Sequence, residues 1–288
     1  MKLVKKKKYQ TLSRLRKSKF FVIGAIVISA IIITAIIAPY IAVHDPEIGQ
    51  FKNSLSKPDF FSKGWSGFIL GADNLGRDIL TRILVGSRYS LVIAISAAFM
   101  AAIIGILLGM LAGFYKRADN IIMRFADLQM SIPNLLLVVA IVAVLGPNVF
   151  NIIIVLILTT WPQFARLIRS SVLVIREKEF ISTSRILGGS DRWIMFSQIL
   201  PNVITPLLVL GSQQIGYLII VESVLSFLGI GIQPPTPSWG VMIADGRDYL
   251  STAPWIAMGP GAILYITVLG FNFLGDGLRD ALDPKMKT

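Results

Sequence analysis

Residues 179–202 read EFISTSRILGGSDRWIMFSQILPN, a polar and charged segment between two long apolar runs. Phe180–Leu187 has the length of about two helical turns, and Gly188-Gly189 offers a left-handed helix stop at low strain. Ser190 or Asp191 can then cap a second short helix. The pattern predicts two short helices joined by a glycine turn. Such a unit is either an amphipathic connector at a membrane surface or a docking element for a soluble partner.

The composition of the 288-residue chain indicates a protein embedded in a lipid bilayer. Its mean hydropathy is +0.71 and only 15% of its residues are charged, whereas a soluble domain carries about 25%. The chain has no Cys and a single His, His44, which argues against disulfides, metal sites and Cys- or His-based catalysis. The net charge of +12 is concentrated beside apolar runs, which fits membrane topology and argues against a nucleic-acid partner.

Long uncharged runs predict six transmembrane helices, because about 20 apolar residues cross a bilayer. The first run, 20–43, is longer than the roughly 7–15 apolar residues of a cleaved signal peptide, which is the alternative interpretation. The run 128–165 is too long for one helix, and Gly146-Pro147-Asn148 predicts a tight hairpin between two spans. The expected spans are 20–43, 90–114, two within 128–165, one from about Asn202 after Pro201 ends the preceding helix, and 249–274.

The positions of Lys and Arg near the span ends predict the orientation. Residues 1–19 form a basic cytoplasmic segment, 20–43 the first transmembrane helix, and 44–89 an extracytoplasmic loop. Residues 90–275 hold the five remaining helices, with a cytoplasmic loop at 163–201, and residues 276–288 form a cytoplasmic tail. The expected fold is an all-α polytopic bundle of six transmembrane helices with both termini in the cytoplasm.

The segment 179–202 resembles the EAA loop of ABC importer permeases, whose pattern is Glu-Ala-Ala, then a Gly, then Ile-Leu-Pro. Gly188 stands at the position of the family's Gly, and Ile199-Leu200-Pro201-Asn202 matches the end of the pattern. Ser182-Thr183-Ser184 replaces Glu-Ala-Ala, so the helix carries no acid at that position. Apolar packing is therefore expected to matter more than charge in any contact made there.

Four other segments resemble the C-type subunit of dipeptide and oligopeptide permeases, so the resemblance runs from about residue 10 to the end of the chain. They are ILGADNLGRDILTRILVGSRYSL (69–91), RFADLQMSIPNLLL (124–137), ESVLSFLGIGIQPPTPSWGVMIADGRDYL (222–250) and LGDGLRDALDP (274–284).

The resemblance implies the type I ABC importer permease fold and a set of partner subunits. The implied partners are a second, B-type permease, two ABC ATPase subunits and an extracytoplasmic substrate-binding protein. The loop helix would fit a groove on the ATPase, with Gly188 as the hinge. The residues to which the resemblance assigns this coupling role are Phe180, Ile181, Ser182, Thr183, Ser184, Arg185, Leu187, Gly188, Gly189, Ser190 and Asp191.

The sequence contains no G-x-x-x-x-G-K-[ST] motif, the loop that cradles ATP phosphates. ATP and Mg²⁺ are therefore expected to be used by separate ATPase subunits, and this chain is expected to bind no cofactor and to hold no catalytic residue or metal ligand.

Polar residues near the predicted spans are candidates for the translocation path, because such groups are costly in a membrane. Gln213, Gln214 and Glu222 are expected to line the path or to contact the second permease. The alternative for Glu222 is that it caps a helix end or pairs with a loop arginine such as Arg247.

Other polar features have more local interpretations. Asp127 is expected to pair with Arg124 or with another cytoplasmic arginine. The outer segment QPPTPSWG (233–240), with an interfacial Trp239, either forms an outer gate or packs over helix ends. Four residues before the second span are spaced to form either a helix on which a binding protein docks or a solvated ion-pair face: Arg77, Asp78, Arg82 and Arg88.

The expected function is ATP-driven import of short peptides across a bacterial plasma membrane. Within the same family, the alternative is import of nickel or another metal as a chelate, which needs no ligand from this chain. From other classes, an ion-coupled secondary transporter would need a buried acid near the bilayer midplane, and a membrane scaffold would transport nothing.

Overall fold

The computed structural model describes residues 14–42, 44–59 and 67–282, and in these ranges the chain forms helices and no named strand. The ends of the predicted cytoplasmic segments, 1–13 and 283–288, lie outside the described residues. The helices are α1 (Lys19–Ile41), α2 (Ile79–Phe114), α3 (Lys116–Met130), α4 (Asn134–Leu145), α5 (Val149–Arg176), α6 (Glu179–Ile186), α7 (Leu200–Phe227), α8 (Trp239–Gly246) and α9 (Trp255–Leu282).

The helices long and apolar enough to cross a bilayer correspond to the predicted spans, but several have other bounds. α5 runs to Arg176, past the predicted end at residue 165 and into the predicted loop 163–201, and α9 spans Trp255–Leu282 where the sequence predicts 249–274. In the described part of the chain there are five: α1, α2, α5, α9, and α7 together with the turns that precede it. The pair α3–α4 passes the same test as one unit that is bent by 88°. The prediction of an all-α bundle is confirmed. The number of spans is six, as predicted, if the bent pair is counted as the third span.

The hairpin between the third and fourth spans forms at the predicted position. Gly146 ends α4 with φ +86°, a backbone conformation that glycine adopts without strain. Asn148 caps α5 by accepting the Phe150 N–H at 2.8 Å. Local turn chemistry therefore determines where the chain reverses.

The helix of the second span begins eleven residues before the predicted start at Ser90. Asp78 sets this boundary, because its carboxylate accepts the Thr81 N–H at 3.0 Å and the Thr81 hydroxyl at 2.6 Å. The last residues of the predicted 44–89 loop thus form the first three turns of α2.

The third span is interrupted between the amphipathic α3 and the apolar α4. Pro133 lacks an N–H and disfavours helical geometry at the residue before it, so α3 ends at Met130 and α4 begins at Asn134. α4 has 12 residues and a length of about 18 Å, which is less than a hydrocarbon core of roughly 30 Å.

The expectation that Pro201 ends a separate short helix is wrong. The chain stays helical from Asp191 to Phe227, passing through a π-helical turn at Ile194–Ile199. In that wider turn the Leu200 N–H bonds to the Met195 carbonyl, five residues back. The π turn accommodates Pro201, which cannot donate the next helical hydrogen bond. The second helix of the loop and the fifth span are consequently one continuous element.

Glycines at a spacing of four residues bring α2 and α5 into close contact. A Cβ added at Gly105, Gly109 or Gly113 would lie under 3 Å from Phe164, Ala165 or Val172 respectively. Small residues at this spacing let membrane helices approach backbone to backbone. The same kind of contact joins α1 to α9, where Gly24 meets the backbone of Leu274.

The segment 233–240 packs over helix ends, which is one of its two predicted roles. The prediction that Trp239 lies at the membrane interface is wrong. The side chain is fully buried within the chain, and its Nε1 donates to the Ile83 carbonyl at 3.2 Å. Gly240 lies against the Ser223 backbone with no room for a side chain.

Both interpretations of the charged residues before α2 are wrong for Arg77 and Arg82, which are buried and unavailable for docking or solvation. Arg77 bonds to Asp73 at 2.6 Å and to Asp245 at 3.1 Å, and Arg82 lies 3.5 Å from Asp245. Burial raises the pKa of Asp245, although the guanidinium groups of Arg82 and Arg77 oppose that shift. The cluster ties α8 to the start of α2.

Candidate functional site

The loop 179–202 forms the predicted helix, glycine turn and second helix. α6 ends at Ile186, and Gly188 follows with φ +85°. The N–H groups of Gly188 and Gly189 donate to the carbonyls of Arg185 (3.0 Å) and Ser184 (2.9 Å). These bonds satisfy carbonyls that the end of α6 leaves free.

The two glycines are required for different reasons. A Cβ at Gly188 would meet nothing within 4 Å, so this position needs glycine for its positive φ alone. A Cβ at Gly189 would lie 2.8 Å from the Ser184 carbonyl, so this position needs glycine for space. After the turn, Ser190 caps the next helix by accepting the Trp193 N–H at 3.4 Å.

A small core at one end of the bundle holds the loop in place. Ile181 is the one buried side chain of α6 and is fully enclosed. It belongs to a cluster formed with the ends of α2, α5 and α7, which comprises Met110, Phe114, Ile168, Val172, Ile175, Ile181, Ile194, Met195, Ile199 and Val203. Ile181 therefore packs α6 into a core shared with the ends of three spans.

Polar contacts supplement this core. The Gln198 side chain donates to the Ser184 hydroxyl at 2.7 Å, across the glycine turn. The Arg185 guanidinium lies over the Phe114 ring, 5.0 Å from its centroid. The Tyr115 hydroxyl donates to Asp191 at 3.2 Å; partial burial and then this hydrogen bond raise the pKa of Tyr115.

The three hydroxyl side chains that stand where the family has Glu-Ala-Ala donate hydrogen bonds to the backbone of α6. Ser182 and Thr183 donate to the Glu179 carbonyl at 2.8 and 2.9 Å, and Ser184 donates to the Phe180 carbonyl at 2.8 Å. Such bonds to the preceding turn satisfy the hydroxyls locally. These three side chains consequently present no charge to a partner.

The outward surface of the loop also carries apolar side chains, beside exposed charged residues such as Arg185 and Arg192. We define the loop patch as its five exposed large apolar side chains. They are Phe180 (43% exposed), Ile186 (85%), Leu187 (81%), Trp193 (51%) and Phe196 (50%). Exposed apolar side chains gathered in so short a segment are typical of a protein-binding surface. Ile186, the most exposed of the five, is absent from the set predicted from the sequence, although its position at the end of α6 beside Leu187 could have identified it.

The structure separates the residues predicted for the translocation path. Glu222 is fully buried within the chain and accepts the hydroxyls of Ser90 (2.9 Å) and Ser226 (2.8 Å). It does not pair with Arg247, which instead bonds to Asp248. Glu222 thus joins α2 to α7.

The two glutamines face different environments. Gln213 lines a groove of about 430 Å³ with Thr205 and Arg279. Gln214 is buried and donates to the Gln163 side chain.

Two ion pairs fix α3 against α5. Asp127 pairs with Arg166 and not with Arg124; Arg166 is among the other arginines that the prediction allowed as its partner. Asp119 accepts two hydrogen bonds from Arg169, at 2.6 and 2.7 Å. Because Arg–carboxylate pairs of this geometry are directional, they hold α3 against the second half of α5.

Comparison with known proteins decides the family. Residues 105–288 match the model of the binding-protein-dependent transport system inner membrane component. Residues 9–58 match the N-terminal transmembrane domain of oligopeptide transport permease C. The chain belongs to this family of transport permeases. It is accordingly an integral inner-membrane protein, and the predicted membership is confirmed.

Relatives within this permease family are similar over most of their length. The di/tripeptide transport system permease protein DppC of Pseudomonas aeruginosa is 43% identical over 87% of this chain and 83% of its own. The dipeptide transport system permease protein DppC of Alkalihalophilus pseudofirmus is 40% identical over 97% and 90%. The glutathione transport system permease protein GsiD of Pectobacterium atrosepticum is 44% identical over 76% and 73%.

The fold of the permease is that of a solved ABC importer. A chain of the inward-facing MetNI methionine ABC transporter superposes with a TM-score of 0.59, covering 71% of this permease and 97% of that chain. The two are 19% identical, so this likeness concerns the fold alone. The predicted type I importer permease fold is confirmed.

Proposed function

We propose that this permease is the C-type membrane subunit of an ATP-driven importer of short peptides in a bacterial plasma membrane. It works with a B-type permease, two ABC ATPase subunits and an extracytoplasmic binding protein. The relatives named for di- and tripeptides, dipeptides and glutathione support this substrate class, since each is at least 40% identical over three quarters or more of the chain.

The attachment of α6 to three spans is the observation that carries the proposal. The loop patch offers an apolar surface to the ATPase, and Ile181 links that surface to α2, α5 and α7. ATP-driven closure of the ATPases would move the loop and tilt the spans, so the path alternates between its two openings. The ATP and Mg²⁺ are used by the ATPases, and hydrolysis resets the inward-facing state.

In this arrangement the loop 163–201 and both termini lie in the cytoplasm. Residues 44–78 and α8 lie on the extracytoplasmic side of the membrane. Gln213, in its half-open groove with Arg279, is the member of the predicted path set best placed to meet substrate. Glu222 and Gln214 act by holding α2, α5 and α7 together.

Uptake into proteoliposomes tests the proposal. The complete transporter is reconstituted with its binding protein, and uptake of a radiolabelled dipeptide is measured with ATP inside the vesicles. We expect uptake that stops with vanadate and does not respond to an imposed proton or sodium gradient. Gradient-driven uptake that continues in vanadate would contradict it, and uptake of a nickel chelate without any peptide uptake would overturn the substrate class.

A further inference from the structure

The break between α3 and α4 lies near the middle of the bundle. The Gln129 side chain, at the end of α3, donates to the Leu158 carbonyl at 2.8 Å. Leu158 is nine residues into α5, about 14 Å from the end of that helix. The Asn134 side chain donates to the Tyr217 hydroxyl at 3.2 Å, and Tyr217 is ten residues, about 15 Å, from the end of α7 at Phe227. In a hydrocarbon core of roughly 30 Å these contacts fall near the midplane.

At this depth the break is exposed on the surface of the chain. Ser131, Ile132 and Pro133 are all exposed, and α4 begins without a side-chain cap on its first amides. The first N–H groups and last carbonyls of a helix have no partners within it. Lipid cannot satisfy such groups, so irregular backbone at membrane depth occurs where it is covered by protein or lines a water-filled cavity.

Polar side chains continue from the break into the bundle. Tyr217 lies one turn from Gln214, which is 8% exposed and donates to Gln163 on α5. The Gln214 Oε1 accepts no hydrogen bond from the part of the chain that the structure describes. A series of amide and hydroxyl groups therefore runs from α5 through α7 to α4 and reaches the exposed surface at Asn134 and Tyr217.

We propose that residues 131–134 and Tyr217 line the aqueous path for the peptide, and that the Asn134 amide and the Tyr217 hydroxyl bond to its main chain. The inference rests on the proposed function and adds the location of a substrate contact. An Asn amide and a Tyr hydroxyl can each donate and accept hydrogen bonds, as a peptide main chain does. Uncharged groups that read only the main chain suit an importer whose substrates differ in their side chains.

Thiol labelling tests this placement directly, because the chain contains no Cys. Ser131→Cys and Tyr217→Cys are introduced separately into the complete transporter in proteoliposomes, with Ile33→Cys as the control. Ile33 is 55% exposed in the middle of α1, among other exposed isoleucines. A hydrophilic methanethiosulfonate reagent is added, and labelling of this chain is followed in the nucleotide-free and vanadate-trapped states.

We expect both cysteines to be labelled at least tenfold faster than Ile33→Cys in one of the two states. We also expect a saturating dipeptide, with its binding protein, to slow their labelling at least threefold. Rates equal to that of Ile33→Cys in both states would show that lipid or protein covers the break and would overturn the proposal. Fast labelling without protection by the dipeptide would overturn the peptide contact. Dipeptide uptake by the unmodified transporter in the same vesicles reports on the proposed function separately.

A pair of conservative variants tests whether the Tyr217 hydroxyl contacts the peptide. Tyr217→Phe should raise the KM for dipeptide uptake about fivefold at an unchanged amount of assembled transporter. Tyr265→Phe is the control, since Tyr265 is a spanning-helix tyrosine that is 63% exposed on α9. An unchanged KM in Tyr217→Phe would contradict the assigned contact.

Discussion

Arg185 in the loop helix lies over the ring of Phe114, the last residue of α2, with 5.0 Å between the guanidinium carbon and the ring centroid. This contact is a direct link between the proposed ATPase-binding loop and a membrane span. Since the loop helix α6 has no acid at the Ser182-Thr183-Ser184 positions, we expect packing contacts of this kind to carry the proposed coupling.

We expect Arg185→Ala to lower peptide-stimulated ATPase activity two- to fivefold, because a cation–π contact near the surface contributes about 0.5–1 kcal/mol. The measurement is a double-mutant cycle with Phe114→Leu. If Arg185 acts through the ring, Arg185→Ala adds little in the Phe114→Leu background. Fully additive effects would mean that Arg185 contacts the ATPase and not α2.

Gly188→Pro should abolish peptide-stimulated ATPase activity without preventing membrane insertion, because proline fixes φ near −65° and Gly188 has φ +85°. Gly188→Ala should lower the activity several-fold, since a left-handed conformation costs a non-glycine residue about 1–2 kcal/mol. Gly146→Ala is the control for positive φ elsewhere in the chain: Gly146 has φ +86° and ψ +154°, a conformation at least as demanding for alanine, in open space at the opposite hairpin. Equal loss of activity in the two alanine variants would contradict a specific role for Gly188.

Ile186→Ser and Leu187→Ser should each weaken copurification of the ATPase subunits about tenfold, because burying one such side chain contributes about 1.5–3 kcal/mol. Val144→Ser is the control: Val144 is 85% exposed, as Ile186 is, but belongs to the hairpin at Gly146. If the ATPase subunits copurify normally with both loop variants, the loop patch is not the docking surface.

Gly109→Ala should lower the melting temperature of the purified permease by several degrees, because its Cβ would press on the Ala165 carbonyl. Gly211→Ala, at a helical glycine with nothing within 4 Å, should leave the melting temperature unchanged or raise it through better helix propensity. Equal effects at the two positions would show that the α2–α5 contact is not tight.

Glu222→Leu should destabilise the permease by about 2–5 kcal/mol, because it leaves the buried hydroxyls of Ser90 and Ser226 without their acceptor. Glu222→Gln keeps one acceptor oxygen and should recover part of that loss. The measurement is thermal unfolding combined with the KM of dipeptide uptake. A changed KM at unchanged stability would instead place Glu222 on the translocation path.

Features that depend on local chemistry could be predicted from the sequence. The turns at Gly146 and Gly188 follow from glycine's access to positive φ, and the cap at Ser190 follows from the needs of a helix start. Features that depend on partners distant in the sequence could not be predicted in this way. Arg77 and Arg82 look like surface charges until Asp245, more than 160 residues away, is brought beside them.

The bend in the third span shows a second limit. The run through Ser131 and Pro133 is apolar enough to be taken for one span, because hydropathy does not register a change of direction. The contacts of Gln129 with α5 and of Asn134 with α7 place the break near the middle of those two helices. That break is also where the proposed peptide contact lies.

The most direct test of the coupling account is photo-crosslinking from the loop patch in the assembled transporter. Leu187, 81% exposed, is replaced by benzoylphenylalanine, and Val144, 85% exposed, is replaced in a parallel control. The account predicts a crosslink from position 187 to an ATPase subunit, none from position 144, and a change in yield on vanadate trapping. A crosslink from position 187 only to lipid or to the second permease would contradict it.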